Sequence, residues 1–310
     1  FTARVFSRNR CPIGCKFCSS TNQLTWGAES TVPVLGSSEN SLISVIERII
    51  KSHPKVKTIY FTDDDFCINK RQVIRYCKAI IDKNFDKSVK FLSFARISDL
   101  NEEILTWLKK ANWRQLNIGV ESFSQRVLDE MDKKVNAIDV VNVLKLANKI
   151  GIDIYFNIIL ITPKSLLEDI EMSILNGLKF LKRKGYHVGI ILAIKPLKGT
   201  AFYEEYSDYQ TRILKLDNNK SMIKVDDMIL ANNKYVREVQ IRSYNELPSV
   251  LYDANDKEIK VGNKTIDDNY IKLVYIKNLI DQTRLKYNLN PSKITKQLDK
   301  LAPQDLSNDL

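Results

Sequence analysis

Three cysteines lie close together near the start of the chain, as Cys11, Cys15 and Cys18 with the spacing C-x3-C-x2-C. Pro12 and Gly14 stand between them, and residues of these two types at these places exclude a regular helix. Only a tight loop can bring the three sulfur atoms together. The spacing therefore predicts a loop whose three thiolates surround one small inorganic centre.

A [4Fe-4S] cluster fits this donor set better than a zinc ion. A closed structural zinc site takes four protein ligands, and the only histidines, His53 and His187, are remote from the loop in sequence. A cluster held by three cysteines leaves one iron open for a substrate or cofactor. The odd total of five cysteines argues against a disulfide framework and indicates a reducing compartment. A zinc loop with a distant fourth ligand and a chance grouping of cysteines are the alternatives.

With Phe17 directly before Cys18, the run resembles the cluster loop of radical S-adenosylmethionine (SAM) enzymes. The resemblance implies that Cys11, Cys15 and Cys18 ligate a [4Fe-4S] cluster and that SAM chelates the open iron through its amino and carboxylate groups. It further implies that one electron from the cluster cleaves the sulfonium to give a 5′-deoxyadenosyl radical. The later motifs extend the resemblance over residues 1–205, and they specify the superfamily better than the reaction.

Strand and helix patterns alternate along this part of the chain, which predicts repeated βα units and a parallel sheet. The predicted strands are Ala3–Ser7, Lys57–Phe61, Lys90–Phe94, Gln115–Val120, Asp153–Leu160 and Gly189–Ile194. The predicted helices are Leu42–Lys51, Lys70–Asp82, Glu102–Lys110, Ser124–Met131, Ala137–Ile150 and Ser165–Lys184. Six such units with right-handed crossovers form an α/β fold, a partial (β/α)6 barrel of the radical SAM type, with chemistry at the carboxyl ends of the strands.

The pattern changes after residue 205, so two parts are predicted. Residues 1–205 form the barrel, and residues 206–310 form a C-terminal, α-rich extension, α+β in character, that packs on the barrel; the alternative is a small separate domain. The extension contains polar segments at 217–220 and 253–256 and a helix from Asp267 to Tyr287.

Acidic residues follow the second strand in the run Thr-Asp-Asp-Asp-Phe, residues 62–66. Many radical SAM enzymes carry a Gly-Gly-Glu motif here that binds the methionine ammonium. The glycines are absent, and the Asp-Asp-x-Phe form is similar to the cobalamin-associated branch. The resemblance implies that Asp64 or Asp65, or else Asp63, binds the amino end of SAM. The alternative is an acidic helix cap before Lys70.

Further polar residues end the third and fourth strands. Arg96 could pair with a carboxylate or steer an anionic substrate, or it could form an ordinary surface ion pair. The run Gly-Val-Glu-Ser, which ends in Glu121 and Ser122, resembles a family motif and implies contact with the ribose or methionine part of SAM. The alternative for Glu121 is a helix cap.

Two turns complete the resemblance. The turn Thr162-Pro163-Lys164 after the fifth strand lacks the glycines usual in relatives, which puts backbone contacts with adenine there in doubt. The turn from Pro196 to Thr200 after the sixth strand matches the family and has a structural role.

The motif set most resembles cobalamin-dependent members, which carry a cobalamin domain before the barrel and often methylate inert carbon. No Asp-x-His-x-x-Gly signature occurs in the sequence, and it starts at Phe1, so we expect that residues upstream are missing or that the protein acts without that domain. The resemblance implies a small-molecule or peptide substrate and an electron donor such as flavodoxin or ferredoxin.

The net charge of +11 invites a nucleic-acid interpretation. No dense basic run with interleaved aromatic residues occurs, so we favour basic residues spread over solvated surfaces. An RNA-modifying, methylthiotransferase-like enzyme is the second hypothesis, and a non-catalytic, metal-stabilised binding module is the third. No apolar run of eighteen residues occurs, so we expect a soluble, cytoplasmic protein without a membrane span.

Overall fold

A computed structural model of the chain describes residues 1–22, 35–195, 197–216, 223–251, 260–261, 264–265 and 267–301. Its strands are β1 Thr2–Val5, β2 Thr58–Phe61, β3 Lys90–Arg96, β4 Trp113–Glu121, β5 Asp153–Ile161, β6 Tyr186–Ala193, β7 Gln210–Leu216, β8 Ile223–Ile229, β9 Lys260–Val261 and β10 Lys264–Thr265. Its helices are α1 Ser19–Asn22, α2 Glu39–Ser52, α3 Lys70–Asp82, α4 Phe85–Ser88, α5 Glu102–Lys110, α6 Gln125–Glu130, α7 Ala137–Ile150, α8 Leu167–Leu181, α9 Ala201–Glu205, α10 Lys234–Leu251, α11 Asp268–Lys286 and α12 Thr295–Leu298.

The first six strands form one sheet in the order β1-β2-β3-β4-β5-β6. Its order follows the chain, and β1 pairs parallel with β2, β2 with β3, and β3 with β4. The predicted α/β fold with six parallel strands and intervening helices is confirmed. The strands β1 and β6 remain the two edges, so the sheet is not closed.

Alternation along the strands explains the core beneath this sheet. In β3, Phe91, Ser93 and Ala95 are buried, because successive residues of a strand face opposite sides. The indole of Trp113 stacks on the ring of Phe91, 4.8 Å away between centroids, and its N–H donates to the hydroxyl of Ser93 at 3.0 Å. The aromatic core therefore packs against one face of β3 and β4, and the side chains on the other face are not part of this core.

Polar caps set the beginnings of the helices that cover this core. The side chains of Ser38, Asn69 and Asn101 accept backbone hydrogen bonds at the starts of α2, α3 and α5. Each satisfies a backbone N–H that has no partner within its own helix. The predicted helix Lys70–Asp82 and the predicted helix Glu102–Lys110 therefore have the observed bounds.

The chain divides into two compact units. The first unit comprises residues 1–120, 134–156 and 184–187, and the second comprises residues 121–133, 157–183 and 188–310. The predicted division at residue 205 stays a prediction. The polar segments predicted at 217–220 and 253–256, and Pro196 of the turn after β6, lie outside the described residues.

Within the second unit, α11 packs on α8. A methyl group added at Gly177 of α8 would stand 2.9 Å from Leu273 of α11 and 3.2 Å from Ile158 of β5, so the lack of a side chain at Gly177 permits this close approach. The predicted helix Asp267–Tyr287 is present as α11.

A buried ion cluster also joins these two helices. The guanidinium of Arg284 in α11 donates to both carboxylate oxygens of Glu171 in α8, at 3.3 and 3.1 Å. The same carboxylate accepts from the hydroxyls of Ser292 and Thr295 at 2.8 and 2.7 Å. The side chains of Arg284 and Glu171 are only 7% and 1% exposed, so each charge depends on the other for its solvation.

None of the helices in the described residues is both long enough and apolar enough to cross a membrane.

Candidate functional site

The three-cysteine loop begins six residues after the end of β1, beyond the carboxyl end of that strand. Cys15 is buried, whereas Cys11 and Cys18 are partly exposed. The N–H of Cys18 donates to the carbonyl of Cys15 at 3.0 Å, and α1 begins at Ser19, one residue later. Gly14 has a φ of 73° with open space where a side chain would stand. Its left-handed conformation turns the chain between Cys11 and Cys15.

The charge environment of Cys11 favours the neutral thiol in the metal-free protein. Burial is the main cause that raises the pKa of Cys11 to about 11; the neighbouring Asp65 and Cys15 act in the same direction, and a backbone hydrogen bond from Ile13 and the charge of Arg96 act against it. A metal ion bound there would displace that proton, because coordination stabilises the thiolate. We therefore expect cluster assembly to release protons and to be favoured at higher pH.

The donor set fits an iron–sulfur cluster in its chemistry. Three sulfur ligands lie within one short loop, and soft thiolates select iron–sulfur clusters or zinc. Among the described residues, no three Cys, His, Asp or Glu side chains are gathered closely enough to enclose a metal ion. The fit therefore rests on the ligand types and on the loop, with Cys11, Cys15 and Cys18 as the residues that would hold the cluster.

Three consecutive aspartates follow β2, and the first two accept hydrogen bonds from different residues. Asp63 is buried, and its Oδ1 accepts from the backbone N–H and the hydroxyl of Ser7, at 2.9 and 3.1 Å. It therefore ties the end of β2 to the end of β1. Asp64 is exposed, and its Oδ1 accepts from the hydroxyl of Ser20 at 2.9 Å. Since Ser20 is two residues beyond Cys18, the carboxylate of Asp64 faces the segment that follows the cysteine loop.

Asp65 lies in a buried charged cluster with Arg96 and Asp99. Its Oδ1 accepts from the N–H of Cys67 at 3.1 Å, so it caps a short 3-10 turn. Burial and the negative charge of Asp99, opposed by the charge of Arg96, raise the pKa of Asp65 to about 8. Arg96 is itself buried, with a guanidinium nitrogen 3.7 Å from Asp99. Asp65 and Arg96 are thus brought together, near Cys11, and no aspartate of this run caps α3, whose cap is Asn69.

Glu121 and Ser122 belong to the second unit. Glu121 has a φ of 62°, a left-handed conformation that is uncommon outside glycine and is often found at functional sites. Its carboxylate accepts from the ammonium of Lys133 at 3.0 Å, and both side chains are largely buried. The hydroxyl of Ser122 is buried and accepts from the N–H of Ser124 at 3.1 Å. A role of Glu121, Ser122 and half-buried Phe17 in binding SAM stays a prediction.

The turn after β5 is held by a buried carboxylate in place of glycines. Glu130 accepts from the hydroxyl of Thr162, from the N–H of Lys164 at 3.0 Å and from the hydroxyl of Tyr206 at 3.1 Å. The N–H of Thr162 in turn donates to Ser165 at 2.9 Å. These side-chain acceptors hold the turn without the glycines usual in relatives, and whether its backbone contacts adenine stays untested.

We expect the stability of the protein to depend on the titration of Glu130. Burial raises its pKa above the ordinary value of 4.5. Between the unfolded and the folded pKa the folded state holds the extra proton, so the free energy of unfolding falls as the pH rises through that window. The advantage of the native chain over Glu130→Gln should therefore be larger at pH 5 than at pH 7.5 in urea unfolding. An equal advantage at both pH values would contradict this assignment.

The two remaining cysteines are core residues. Cys67 and Cys77 are fully buried, and burial raises the pKa of both thiols well above the ordinary value of 9.0. Neutral, inaccessible thiols are poor nucleophiles. All five cysteines lie in described residues, and none forms a disulfide.

Fold and site together define an α/β protein with a three-cysteine loop at the carboxyl edge of an open parallel sheet. Residues 5–175 match the family model described as the Radical SAM superfamily. Since the match spans more than half of the chain, the chain belongs to the radical SAM superfamily and is an enzyme. Membership implies a [4Fe-4S] cluster and SAM as cofactors.

Two curated proteins are similar in sequence. An uncharacterized methyltransferase of Pyrococcus horikoshii is 26% identical over 204 residues, which are 64% of this chain and 41% of that protein. The anaerobic magnesium-protoporphyrin IX monomethyl ester cyclase of Cereibacter sphaeroides is 24% identical over 144 residues, which are 46% of this chain and 22% of that protein. The chain thus spans less than half the length of both relatives.

Solved structures share the fold at low sequence identity. The cobalamin-dependent SAM radical enzyme OxsB, with aqua-cobalamin bound, matches with a TM-score of 0.58 and 14% identity, over 99% of this chain and 58% of that one. The radical SAM methyltransferase TsrM from Kitasatospora setae, with cobalamin and a [4Fe-4S] cluster bound, matches with a TM-score of 0.60 and 10% identity, over 92% of this chain and 61% of that one. The fold is that of these radical enzymes.

Sequence reasoning missed three partners of the predicted site residues. Ser20 contacts Asp64, Asp99 contacts Arg96, and Lys133 pairs with Glu121. Asp99 could have been found, since it follows Arg96 by three residues at a strand end, the spacing of a single helical turn. The pairs with Ser20 and Lys133 join residues 44 and 12 positions apart, and the sequence carries no local signal for them.

Proposed function

We propose that this chain is the catalytic part of an enzyme that cleaves SAM reductively and uses the resulting radical chemistry on an unreactive C–H bond. The cluster supplies the electron, and SAM supplies the radical or the methyl group. The observation that supports this function is the loop of Cys11, Cys15 and Cys18 next to the acidic run after β2. The chain itself would bind the two cofactors and exclude water from the reacting atoms.

Asp64 is the best candidate in the first unit to bind the ammonium of SAM. Its carboxylate is exposed, while that of Asp63 is buried and bonded through Oδ1 to Ser7 and that of Asp65 is buried beside Asp99. An ammonium bound to a carboxylate forms a charge-assisted hydrogen bond. The proposal assigns this contact to Asp64 and leaves Asp63 and Asp65 to position the strand ends.

We expect Asp64→Asn to weaken SAM binding about ten-fold, because it removes the negative partner of one charge-assisted hydrogen bond. Equilibrium dialysis of SAM against the reconstituted protein measures this effect. Asp82→Asn, which changes an exposed aspartate at the end of α3, is the matched control and should bind SAM as the native protein does. Equal affinity in both variants would refute the assignment.

Cobalamin-dependent methylation of carbon is the finer form of the proposal. Its support is the likeness of the fold to OxsB and TsrM, together with the methyltransferase relative. The substrate would be a small molecule or a peptide, and an electron donor such as flavodoxin or ferredoxin would reduce the cluster. Cobalamin is a proposed cofactor, and the chain spans about three-fifths of the length of each of these two structures.

Product analysis tests the proposed reaction. The protein is reconstituted anaerobically with iron and sulfide, and is then incubated with SAM and dithionite. Release of 5′-deoxyadenosine with methionine supports radical cleavage, and methylcobalamin formed from added cobalamin supports the methylation branch. A colourless protein that holds zinc and releases no nucleoside would refute the function.

A further inference from the structure

One face of the first unit's sheet carries aromatic and amide side chains that the core does not use. Tyr60 and Phe94 alternate with buried residues of β2 and β3, and Gln115 and Asn117 do so in β4. Phe94 is 38% exposed although it lies within a strand of a parallel sheet. Such strands are usually covered on both sides. We call Tyr60, Phe94, Gln115 and Asn117 the open-face cluster.

Hydrogen bonds within the open-face cluster fix the orientation of its polar side chains. The side-chain N–H of Gln115 donates to the carbonyl oxygen of Asn117 at 2.8 Å, and the amide nitrogen of Asn117 donates to the hydroxyl oxygen of Tyr60 at 2.7 Å. The phenol therefore serves as an acceptor within the chain of hydrogen bonds. Among the described residues no acceptor receives its proton, so Tyr60 keeps one O–H to donate. Burial raises its pKa above 10.0, and the phenol is protonated at neutral pH.

The aromatic rings of Tyr60 and Phe94 form a flat, apolar surface beside the hydroxyl donor. The centroids of Tyr60 and Phe94 are 5.6 Å apart with an interplanar angle of 38°. Aromatic side chains at this distance favour stacked or edge contacts with a further ring. Binding sites for small molecules combine such surfaces with a few oriented polar groups. Arg4 is the register partner of Tyr60 on the neighbouring strand, and its positive charge disfavours a cationic ligand.

The strand register places the open-face cluster on the amino-terminal side of Arg96 along the strands. Arg96 of β3 pairs with Gly119 of β4. Phe94 pairs with Asn117, and this pair lies two residues earlier on the same face of the sheet. Two residues along a strand span about 7 Å. Tyr60 of β2 pairs with Leu92 of β3, which lies two residues before Phe94. The cluster therefore lies about 7 to 13 Å from the level of Arg96, deeper along the strands.

We propose that the open-face cluster is the substrate-recognition site of this enzyme and that it selects a flat, uncharged or anionic ring system with a hydrogen-bond acceptor, to which the hydroxyl of Tyr60 donates. This inference rests on the proposed function, because a recognition site near Arg96 presents its ligand to the same edge of the sheet as the cysteine loop. Tyr60 and Phe94 contact the ligand, while Asn117 and Gln115 are positioning residues that orient the phenol.

Two isosteric probes test the site. Indole and 7-azaindole have the same shape, and 7-azaindole carries an acceptor nitrogen where indole has a C–H. The full-length chain should bind 7-azaindole about five-fold more tightly than indole, the effect of one added neutral hydrogen bond. Saturation-transfer NMR measures both dissociation constants. The emission of 7-azaindole, which shifts on hydrogen bonding, reports the contact directly.

Two substitutions distinguish the contribution of the Tyr60 hydroxyl to probe binding from that of the apolar surface. Tyr60→Phe should bring the ratio of the two dissociation constants close to one, and Phe94→Ala should weaken both probes together. Tyr270→Phe, a change in α11 of the second unit, should keep the five-fold ratio. If Tyr60→Phe does not fold by circular dichroism, Asn117→Ala replaces it, since it releases the phenol from its orientation and should also reduce the ratio.

The results also distinguish this inference from the proposed function. An unchanged ratio in Tyr60→Phe, or native chain that binds neither probe, would overturn the recognition site. Cleavage of SAM by the same preparation is measured separately, and its presence or absence bears only on the proposed function. Loss of the ratio in Tyr60→Phe, with the five-fold ratio kept in Tyr270→Phe, would support the site.

Discussion

Alanine at Cys11, Cys15 or Cys18 is expected to abolish the cleavage of SAM, with a loss of at least about a hundred-fold in nucleoside release. A cluster with only two protein ligands is not retained stably, because each thiolate supplies one of the few bonds that hold it. Each variant should also lose the brown absorbance of the reconstituted protein. The measurement is the yield of 5′-deoxyadenosine per protein, together with iron content.

The chain provides its own matched controls for this experiment. Cys67→Ala and Cys77→Ala remove buried sulfurs from the core and should reduce stability by about 1 kcal/mol, while iron content and SAM cleavage are kept. Full colour and activity in any variant of the three-cysteine loop would contradict the assignment of that cysteine. Loss of the cluster in Cys77→Ala would show that iron binding does not depend on the loop alone.

Arg284→Met is expected to destabilise the protein by about 3–5 kcal/mol, the cost of breaking a buried ion pair by removing one partner. The carboxylate of Glu171 is 1% exposed and would keep the hydroxyls of Ser292 and Thr295 but lose its counter-charge. An uncompensated charge in the interior loses its solvation by water without recovering it from the protein. Urea unfolding followed by circular dichroism measures the loss.

Arg242→Met is the corresponding change at an exposed pair. Arg242 contacts Glu246 one turn along α10, and the two side chains are 31% and 39% exposed. Water screens such a pair, so the variant should lose about 0.5 kcal/mol. Equal losses in Arg242→Met and Arg284→Met would show that the buried cluster does not anchor α11 to α8.

The secondary structure of the first 205 residues could be predicted because local signals agree with the final packing. In β2, the run Thr58–Phe61 consists of β-branched and aromatic residues, which favour strands, and Asn69 and Asn101 are cap residues at the starts of α3 and α5. The bounds differ by up to three residues at the ends of β4 and β6, although Asn112 and Gly185, both with positive φ, directly precede these two strands. Such ends depend on pairing with a neighbouring strand.

The site was predictable only in part, for a physical reason. The three cysteines carry their chemistry in their spacing, and that spacing is visible in sequence. Which of Asp63, Asp64 and Asp65 remains exposed depends on where Ser7 and Asp99 lie in space, and the sequence does not state that. The open-face cluster was missed for the same reason, since Tyr60 and Asn117 are 57 positions apart and meet only through the register of three strands.

The electron paramagnetic resonance spectrum of the reduced, reconstituted protein, recorded with and without SAM, tests the central claim most directly. An open iron coordinated by SAM should change the g-values of the reduced cluster when SAM is added, and the change should be absent with 5′-methylthioadenosine, which lacks the amino and carboxylate groups. A cluster spectrum that SAM leaves unaltered, or a protein that takes up zinc and shows no such signal, would contradict the account.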